Sequence, residues 1–221
     1  MARSLLSKLL ALKPEESSTN SGWIRIKDAQ GHERQIPLRF GVMATPTNWS
    51  SVYEAIGTAE SPAAKLTITH NEGLFSRYSL RRAVAPGGAF SGEEPLSRNQ
   101  LMVPFAGSDF WLVDLSLDFL HWPQQRVLKQ QMRSGMACDV LQSTNPQPAP
   151  GAYARVVTWI AVNRPDDIVI VFAEAYDAQD KLLKEFAPKK LKRVNGYYQP
   201  KLLEIRNVQT DSTTDIEVDF D

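Results

Sequence analysis

The side chains that could bind a metal ion are widely spaced along this chain. His32 lies in a predicted turn, His70 lies at the end of a predicted strand, and His121 lies inside an apolar run. None of the three has a second ligand residue at the spacing that zinc sites require. The single cysteine, Cys138, leaves no internal disulfide and no multi-cysteine metal site. The sequence therefore predicts no metal site and no bound cofactor.

A second candidate for chemistry is Ser108-Asp109 near His121, which could form part of a hydrolase site. The chain has no G-x-S-x-G turn of the kind that exposes a nucleophilic serine. We interpret Ser108 instead as the N-cap of a following helix, because a serine oxygen accepts hydrogen bonds from the first free amides of a helix. Cys138 lies in a strand-like run, which favours a buried, unreactive thiol. We predict no catalytic residue, with a hydrolase or isomerase as the less favoured alternative.

Two further patterns could bind anions. The glycine- and proline-rich residues 85–95 do not link a strand to a helix, so they are predicted to be a loop rather than a phosphate site. Lys189, Lys190, Lys192 and Arg193 form a basic cluster typical of a solvated hairpin end. Lys+Arg and Asp+Glu both number 25, and this balance does not favour nucleic acid as a partner.

The elements that must position any site are mostly β-strands. Apolar and polar residues alternate between turn residues along most of the chain, and Asn195-Gly196 predicts a type I′ hairpin turn. About ten such strands indicate a mainly β fold. We predict a large curved antiparallel sheet that forms an unclosed β-barrel, within a single domain over residues 1–221. Two of the predicted strands, 181–186 and 191–193, are short and close together.

Two segments are predicted to be helical. Leucines at helical spacing give residues 1–14 an amphipathic helix that packs on the sheet and ends at Pro14. Lys8 interrupts its apolar run and no cleavage site follows, so it is not interpreted as an export signal. Residues 109–122 (DFWLVDLSLDFLHW) are apolar almost all round, yet shorter than the roughly 20 residues that cross a bilayer. We predict a helix over 107–122 that is either a lid or a core plug.

Apolar binding remains as the favoured function. A sheet of about ten strands that curls without closing encloses more space than side chains fill evenly. A large apolar pocket in such a fold is the default binding site. Large apolar side chains on the strands and on the central helix are the predicted lining of the cavity: Phe40, Trp49, Phe110, Trp111, Leu115, Phe119, Trp159 and Phe172.

Several short motifs in residues 107–220 occur in an order that resembles the outer-membrane lipoprotein-sorting family of periplasmic carriers. They are GSDFWLVDL from Gly107, MACDVLQ from Met136, Trp159, AYDAQDKLLK from Ala175, NGYYQP from Asn195 and IRNVQT from Ile205. The resemblance implies an unclosed antiparallel β-barrel with helices as a lid over a cavity for acyl chains. It also implies a periplasmic location after removal of a signal peptide, without metal or catalysis. An arginine on a strand holds the lid in this family, and the sequence assigns that role to none of Arg25, Arg34 and Arg39.

The sequence hypothesis is therefore a non-enzymatic periplasmic binding protein. It would hold lipid or lipoprotein acyl chains in an apolar cavity for transport or sensing, without spanning the membrane. Its predicted partners are a lipid or an acylated lipoprotein, with envelope proteins as further candidates. The alternative is an envelope protein-protein interaction or regulatory module whose core is filled by its own side chains.

Overall fold

The computed structural model describes residues 2–11, 13–14, 16–71, 75–164, 167–194 and 197–219. Within this part of the chain there are two α-helices, thirteen β-strands and two short 3-10 helices. The α-helices are α1 (Ala2–Leu10) and α2 (Leu112–Ser116), and the 3-10 helices are Arg98–Gln100 and Asp118–His121. The strands are β1 (Ser18–Lys27), β2 (Glu33–Ala44), β3 (Asn48–Ala55), β4 (Ala64–Asn71), β5 (Arg77–Arg82), β6 (Glu94–Leu96), β7 (Gln124–Arg133), β8 (Met136–Thr144), β9 (Arg155–Arg164), β10 (Asp167–Tyr176), β11 (Leu182–Val194), β12 (Tyr197–Asn207) and β13 (Ser212–Asp219).

All thirteen strands belong to one antiparallel sheet that is not closed into a barrel. Their order is β6-β5-β4-β3-β2-β1-β13-β12-β11-β10-β9-β8-β7. The mainly β, unclosed antiparallel fold predicted from the sequence is therefore confirmed. Contacts divide the chain into two compact units. The N-terminal unit comprises residues 13–116 and 214–221, and the C-terminal unit comprises α1 with residues 117–213. The single domain over 1–221 stays a prediction.

Two predicted elements have different bounds in the structure. The separate strands predicted over 181–186 and 191–193 are one strand, β11, whose register against β12 shifts between Pro188 and Leu191. Proline has no amide hydrogen to donate to a neighbouring strand, so a strand that contains one commonly bulges there. The predicted turn at Asn195-Gly196 lies outside the described residues. The N-terminal helix, predicted over 1–14, spans only Ala2–Leu10 and packs on β7 of its own unit.

One face of the sheet in the N-terminal unit is apolar. Paired strands place the side chains of opposite residues on the same face. Ile24 pairs with Ile36, and Leu66 pairs with Leu80, and all four side chains are buried. Residues 101–116 of the same unit pack on this side, as described below, and we call it the covered face. The sheet therefore follows the two-residue period that its sequence shows.

The opposite face of the N-terminal unit carries charges. Glu54 lies between Arg39 and Lys65, with ion-pair distances of 3.7 and 3.9 Å. Arg25 contacts Glu217 at 2.7 Å on the same side. Such surface pairs contribute little stability individually, but they show which side of these strands faces water.

Strands β8 to β10 of the C-terminal unit are buried on both faces. Val140 and Trp159 pair on one face, and Leu141 and Thr158 pair on the other, with relative exposures of 0 to 6%. This matches the sequence, in which β9 and β10 are apolar at nearly every position. Residues on the two faces therefore belong to different packing environments.

Two glycines in the neighbouring strands β1 and β2 give a test of how closely β1 and β13 approach each other. A Cβ atom at Gly22 would lie 2.0 Å from the Glu217 carbonyl oxygen, whereas one at Gly41 would lie 3.6 Å from the Ser18 carbonyl oxygen. We expect Gly22→Ala to lower the free energy of unfolding by about 2–4 kcal/mol, because β1 and β13 must separate to accommodate the methyl group. Gly41→Ala should change it by less than about 1 kcal/mol. Urea denaturation measures both, and equal effects would contradict the close approach of these strands.

Candidate functional site

The central segment, residues 101–122, does not form the helix predicted over 107–122. It begins as a hairpin, in which Phe105 donates its amide hydrogen to the Phe110 carbonyl oxygen at 2.8 Å. Ser108 closes the turn by donating to the Phe105 carbonyl oxygen at 2.9 Å, and Ala106 and Gly107 both have positive φ, 51° and 68°. Two successive residues of positive φ define a type I′ turn. The prediction failed because an apolar run with no clear period does not distinguish a helix from a tight hairpin.

Helix α2 is only five residues long and begins after Trp111. The Asp114 carboxylate accepts the Trp111 amide hydrogen at 2.8 Å. The interpretation of Ser108 as the N-cap is therefore wrong, since its hydroxyl instead donates to the Phe110 carbonyl oxygen at 3.4 Å. Leu117 has a φ of 52°, a left-handed conformation that ends the α-helix before the 3-10 helix Asp118–His121.

Arg34 holds the turn of the central segment against the sheet. Its guanidinium donates to the Gly107 carbonyl oxygen and to the Ser61 hydroxyl oxygen, both at 3.2 Å. The sequence assigned this role to no arginine. The available signal was the position of Arg34, which shares the alternation of Ile36 and Leu38 and therefore lies on the apolar face.

A second contact attaches the central segment to the sheet at Asp109, two residues after Gly107. Thr214 in β13 is fully buried, and its hydroxyl oxygen accepts the Asp109 amide hydrogen at 3.0 Å. The same hydroxyl donates to the Asp109 carboxylate at 2.8 Å. The two hydrogen bonds form a closed ring between residues far apart in the chain. Asp109 therefore attaches the central segment to β13.

The predicted lining residues of the N-terminal unit fall into two groups. Phe110 is fully buried and Leu115 is 8% exposed, so both pack among the protein's own side chains. Phe40, Trp49 and Trp111 are each partly exposed. The structure therefore distinguishes a filled part of the core from a part whose aromatic side chains remain accessible.

The accessible part of the covered face lies around Tyr53, which the sequence analysis did not select. Phe40 and Tyr53 pair across β2 and β3 with ring centroids 4.9 Å apart, and Phe105 lies 6.5 Å from Tyr53. Trp49 stacks on His70 at 3.7 Å further along the same face. We call these three aromatic residues of β2 and β3, together with the pair that lies between them on the same face, the aromatic patch: Phe40, Trp49, Tyr53, Val42 and Ser51. A partly exposed aromatic residue on a buried face was the feature that sequence alone could not separate from ordinary core.

Burial raises the pKa of Tyr53 to about 12. The cause is desolvation of the tyrosinate, since surrounding protein atoms exclude the water that would stabilise its charge. The side chain nevertheless keeps part of its surface accessible. Tyr53 thus lies at the boundary between the filled core and the accessible part of the covered face. Its hydroxyl is therefore neutral at physiological pH and can donate a hydrogen bond.

The remaining predicted lining residues belong to the C-terminal unit, where the structure does not bring them together. The Gln125 amide donates to the carbonyl oxygens of Phe119, at 3.0 Å, and Trp122, at 2.9 Å, and its oxygen accepts from the Ser143 hydroxyl. Gln125 pairs with Ser143, so the 3-10 helix packs on that face of the sheet. Phe119 itself is 4% exposed.

Trp159 and Phe172 lie on the other face of those strands. They pair across β9 and β10 with ring centroids 5.3 Å apart. The Arg133 guanidinium lies 3.4 Å from the Phe172 centroid, and the Trp159 indole donates to Gln131 at 3.2 Å. This arrangement is a cation–π cluster that covers an apolar core. Trp159 and Phe172 therefore share no surface with Phe119, and their predicted role as lining residues gains no support from this geometry.

The structure also shows the surroundings of groups that the sequence analysis considered for metal binding and for chemistry. Among the described residues no group of three or more His, Cys, Asp or Glu could hold a metal ion. Cys138 is 2% exposed, and burial raises the pKa of its thiol, so the reactive thiolate is disfavoured. No helix in the described part of the chain is long and apolar enough to cross a membrane.

Three solved structures share this fold. A DUF1329 family protein from Desulfovibrio piger has a TM-score of 0.76 at 15% identity, over 99% of this chain and 89% of that chain. A putative outer membrane lipoprotein-sorting protein domain from Vibrio parahaemolyticus has a TM-score of 0.77 at 16% identity, over 99% and 90%. A LolA superfamily protein from Nitrosomonas europaea has a TM-score of 0.67 at 16% identity, over 99% and 91%. The predicted resemblance to lipoprotein-sorting proteins is therefore confirmed as a likeness of fold.

The unclosed antiparallel sheet with its central segment defines the LolA-like fold class. A family model described as "-like: Uncharacterized protein" matches residues 93–220, which is more than half of the chain. The chain therefore belongs to that family of uncharacterised proteins. No curated protein sequence matches this chain.

Two buried threonines, one hydrogen-bonded to the central segment and one not, give a test of how this segment is held. Thr214→Val removes both bonds to Asp109 while keeping the shape of the side chain, and we expect it to cost about 1–3 kcal/mol of unfolding free energy. Thr158 is the matched control, because its side chain is equally buried and its hydroxyl oxygen has no hydrogen-bond partner among the described residues. Thr158→Val should leave stability unchanged or raise it by about 1 kcal/mol. Chemical denaturation measures both variants, and a loss in the control as large as in Thr214→Val would contradict this account.

Proposed function

We propose that this protein is a non-enzymatic periplasmic binding protein that holds a lipid acyl chain, for transport or for sensing. The observation that carries the proposal is the aromatic patch on the covered face. Its members other than Ser51 are partly accessible, while Leu38 on β2 and Leu66 on the neighbouring β4 are 2% and 0% exposed on the same face. An accessible apolar surface continuous with a protein core is characteristic of a ligand site rather than of a solvated sheet face.

The energetics suit an acyl chain. Burial of a methylene group contributes about 0.8 kcal/mol, so about fifteen methylene groups of a long acyl chain supply roughly 12 kcal/mol before association costs. Those costs amount to about 4 kcal/mol or more, so at most about 8 kcal/mol remains, which corresponds to micromolar affinity. Aromatic side chains such as Phe40 and Trp49 provide large apolar contact area to such a chain.

The central segment is the proposed cover of the site. Its regular elements are short, and α2 spans only five residues. It is attached to the sheet at the turn by Arg34 and further on by the ring between Asp109 and Thr214. A short segment held by a few polar contacts can separate from the sheet at moderate cost. Opening at the turn would expose the aromatic patch without unfolding the strands.

The periplasmic location and the acylated partner rest on the resemblance to lipoprotein-sorting proteins and on the shared fold. The alternative, an interaction module with a self-filled core, is favoured by the complete burial of Phe110, Leu112 and Phe105. The two proposals make opposite predictions for lipid binding. They are therefore separated by the next experiment.

Lipid binding is tested with a matched pair of substitutions on one strand. Phe40 belongs to the aromatic patch, and Met43 is 61% exposed on the opposite face of β2. We expect the wild-type protein to bind a fluorescent fatty acid with a dissociation constant in the micromolar range. Phe40→Gln should weaken binding about tenfold, because a buried aromatic contact is replaced by a polar amide, and Met43→Gln should bind as the wild type does. Absence of co-purified lipid together with no binding below about 100 μM, far weaker than acyl-chain burial predicts, would favour the self-filled module.

The attachment of the cover is tested at Arg34. Arg34→Gln removes the charged donor from the Gly107 carbonyl oxygen, so the central segment should open more often. We expect amide hydrogen exchange in residues 105–116 to accelerate about 3- to 10-fold, which corresponds to the loss of one or two hydrogen bonds. Arg25→Gln is the control, since it breaks the ion pair with Glu217 on the charged face. Unchanged exchange in Arg34→Gln would show that the turn is not held by this arginine.

A further inference from the structure

We propose that the Tyr53 hydroxyl is the polar anchor of the ligand site, and that it donates a hydrogen bond to a neutral ester or amide carbonyl of the acyl ligand. This inference rests on the proposed function, because it specifies which part of the lipid the site recognises. It concerns a group that the binding of a plain hydrocarbon chain would not require.

Tyr53 is surrounded by apolar side chains. It pairs with Phe40 on one neighbouring strand and with Leu66 on the other, and Phe105 of the central segment contacts its ring. Its hydroxyl forms no hydrogen bond with any of the described residues. Tyr176 shows the usual alternative, because its hydroxyl donates to the Glu174 carboxylate at 2.6 Å. A partly enclosed hydroxyl without a protein partner is suited to a ligand acceptor or to an exchangeable water.

A second hydroxyl occupies the adjoining position of the same face. Ser51 is two residues from Tyr53 on β3 and therefore points to the same side of the sheet. It pairs with Val42 and Ile68, is 7% exposed, and forms no side-chain hydrogen bond with the described residues. Two hydroxyls that have no hydrogen-bond partner among the described residues thus occupy neighbouring positions on the same apolar face. This is the pattern of a ligand pocket, in which a few polar groups orient a mainly apolar molecule.

The charge of the surrounding residues selects the kind of acceptor. The residues paired with Tyr53 and Ser51 on β2 and β4 are uncharged, and so are the residues paired with those on β1 and β5: Phe40, Leu66, Val42, Ile68, Asn20, Ser18, Leu80 and Tyr78. The next residue in the Tyr53 row is an anion, Glu94 on β6, which pairs with Leu80. Two cations of this face, Arg34 and Arg82, lie toward the other end of the strands. Arg34 is hydrogen-bonded to Gly107 and Ser61, and Arg82 is exposed.

A carboxylate placed beside Tyr53 would therefore lose its hydration without gaining a cationic partner, which is costly. A carbonyl oxygen carries no such charge and needs only one donor to be satisfied. Because burial raises the pKa of Tyr53 to about 12, its hydroxyl remains a donor through neutral and mildly alkaline pH. Acyl esters and amides should consequently bind better than the free fatty acid of the same chain length.

The test uses three probes with the same chain. They are monooleoylglycerol, its monooleyl glyceryl ether, which lacks the carbonyl, and oleate at a pH where its carboxyl group is ionised. Competition against a neutral fluorescent naphthylamine dye gives the three dissociation constants. We expect the wild-type protein to bind the ester about 3- to 10-fold more tightly than the ether, the range of one hydrogen bond. Oleate should bind more weakly than the ester.

Tyr53→Phe should remove the preference for the ester while leaving affinity for the ether unchanged, and Ser51→Ala should reduce the preference. Tyr176→Phe is the matched control and should keep it, because that hydroxyl serves Glu174 in the other unit. Thermal unfolding of Tyr53→Phe should match the wild type, since the hydroxyl has no partner among the described residues to lose. A preference for the ester that is unchanged in Tyr53→Phe would overturn the anchor, and oleate binding as tightly as the ester would overturn the neutral carbonyl. Failure of the wild type to bind any of the three probes would instead overturn the proposed function itself.

Discussion

The structure depends on how a buried, irregular segment satisfies its backbone polar groups. Buried amide and carbonyl groups must be hydrogen-bonded, and a segment with little regular structure must find partners elsewhere. The central segment does so through its own hairpin, with Phe105 bonded to Phe110, and through Leu112 and Val113, whose amides reach the carbonyl oxygens of Val103 and Leu101. Leu112 and Val113 are the first two residues of α2, so this pairing satisfies amides at the start of the helix that have no partner within it. The apolar side chains of the segment can therefore be buried without the long helix that hydrophobicity alone suggests.

The sheet could be predicted because its sequence has a clear period. Apolar and polar residues alternate along β2 and β13 because one face of these strands contacts the core and the other contacts water. This alternation is visible in the sequence itself. The central segment lacks any such contrast, so its hairpin could not be distinguished from a helix. The decisive features were local and small: positive φ at Ala106 and Leu117, and a carboxylate at Asp114 rather than a serine at 108. Each of these depends on tertiary context that a single sequence does not display.

The aromatic residues illustrate a second limit. Trp159 and Phe172 share a face because the register of β9 against β10 shifts between Ile170 and Phe172, which changes the alternation along β10. Residue type selected them as cavity residues, but the bulge places them with Arg133 on the face away from Gln125. Tyr53 was passed over for the opposite reason. Its neighbours are ordinary strand residues, and only its accessibility separates it from core.

Buried hydroxyls behave differently in the two units, and the difference bears on function. Thr158 has a fully buried hydroxyl oxygen without a partner in the described part of the chain, and its strands are packed on both faces, so no ligand could reach it. Its hydroxyl is a cost that the surrounding packing offsets. The Tyr53 hydroxyl also has no partner among the described residues, but its side chain remains accessible beside Phe40 and Ser51. An accessible donor can be satisfied by an arriving molecule, so its cost is removed on binding. A donor of this kind favours ligands that carry an acceptor over ligands that are only apolar.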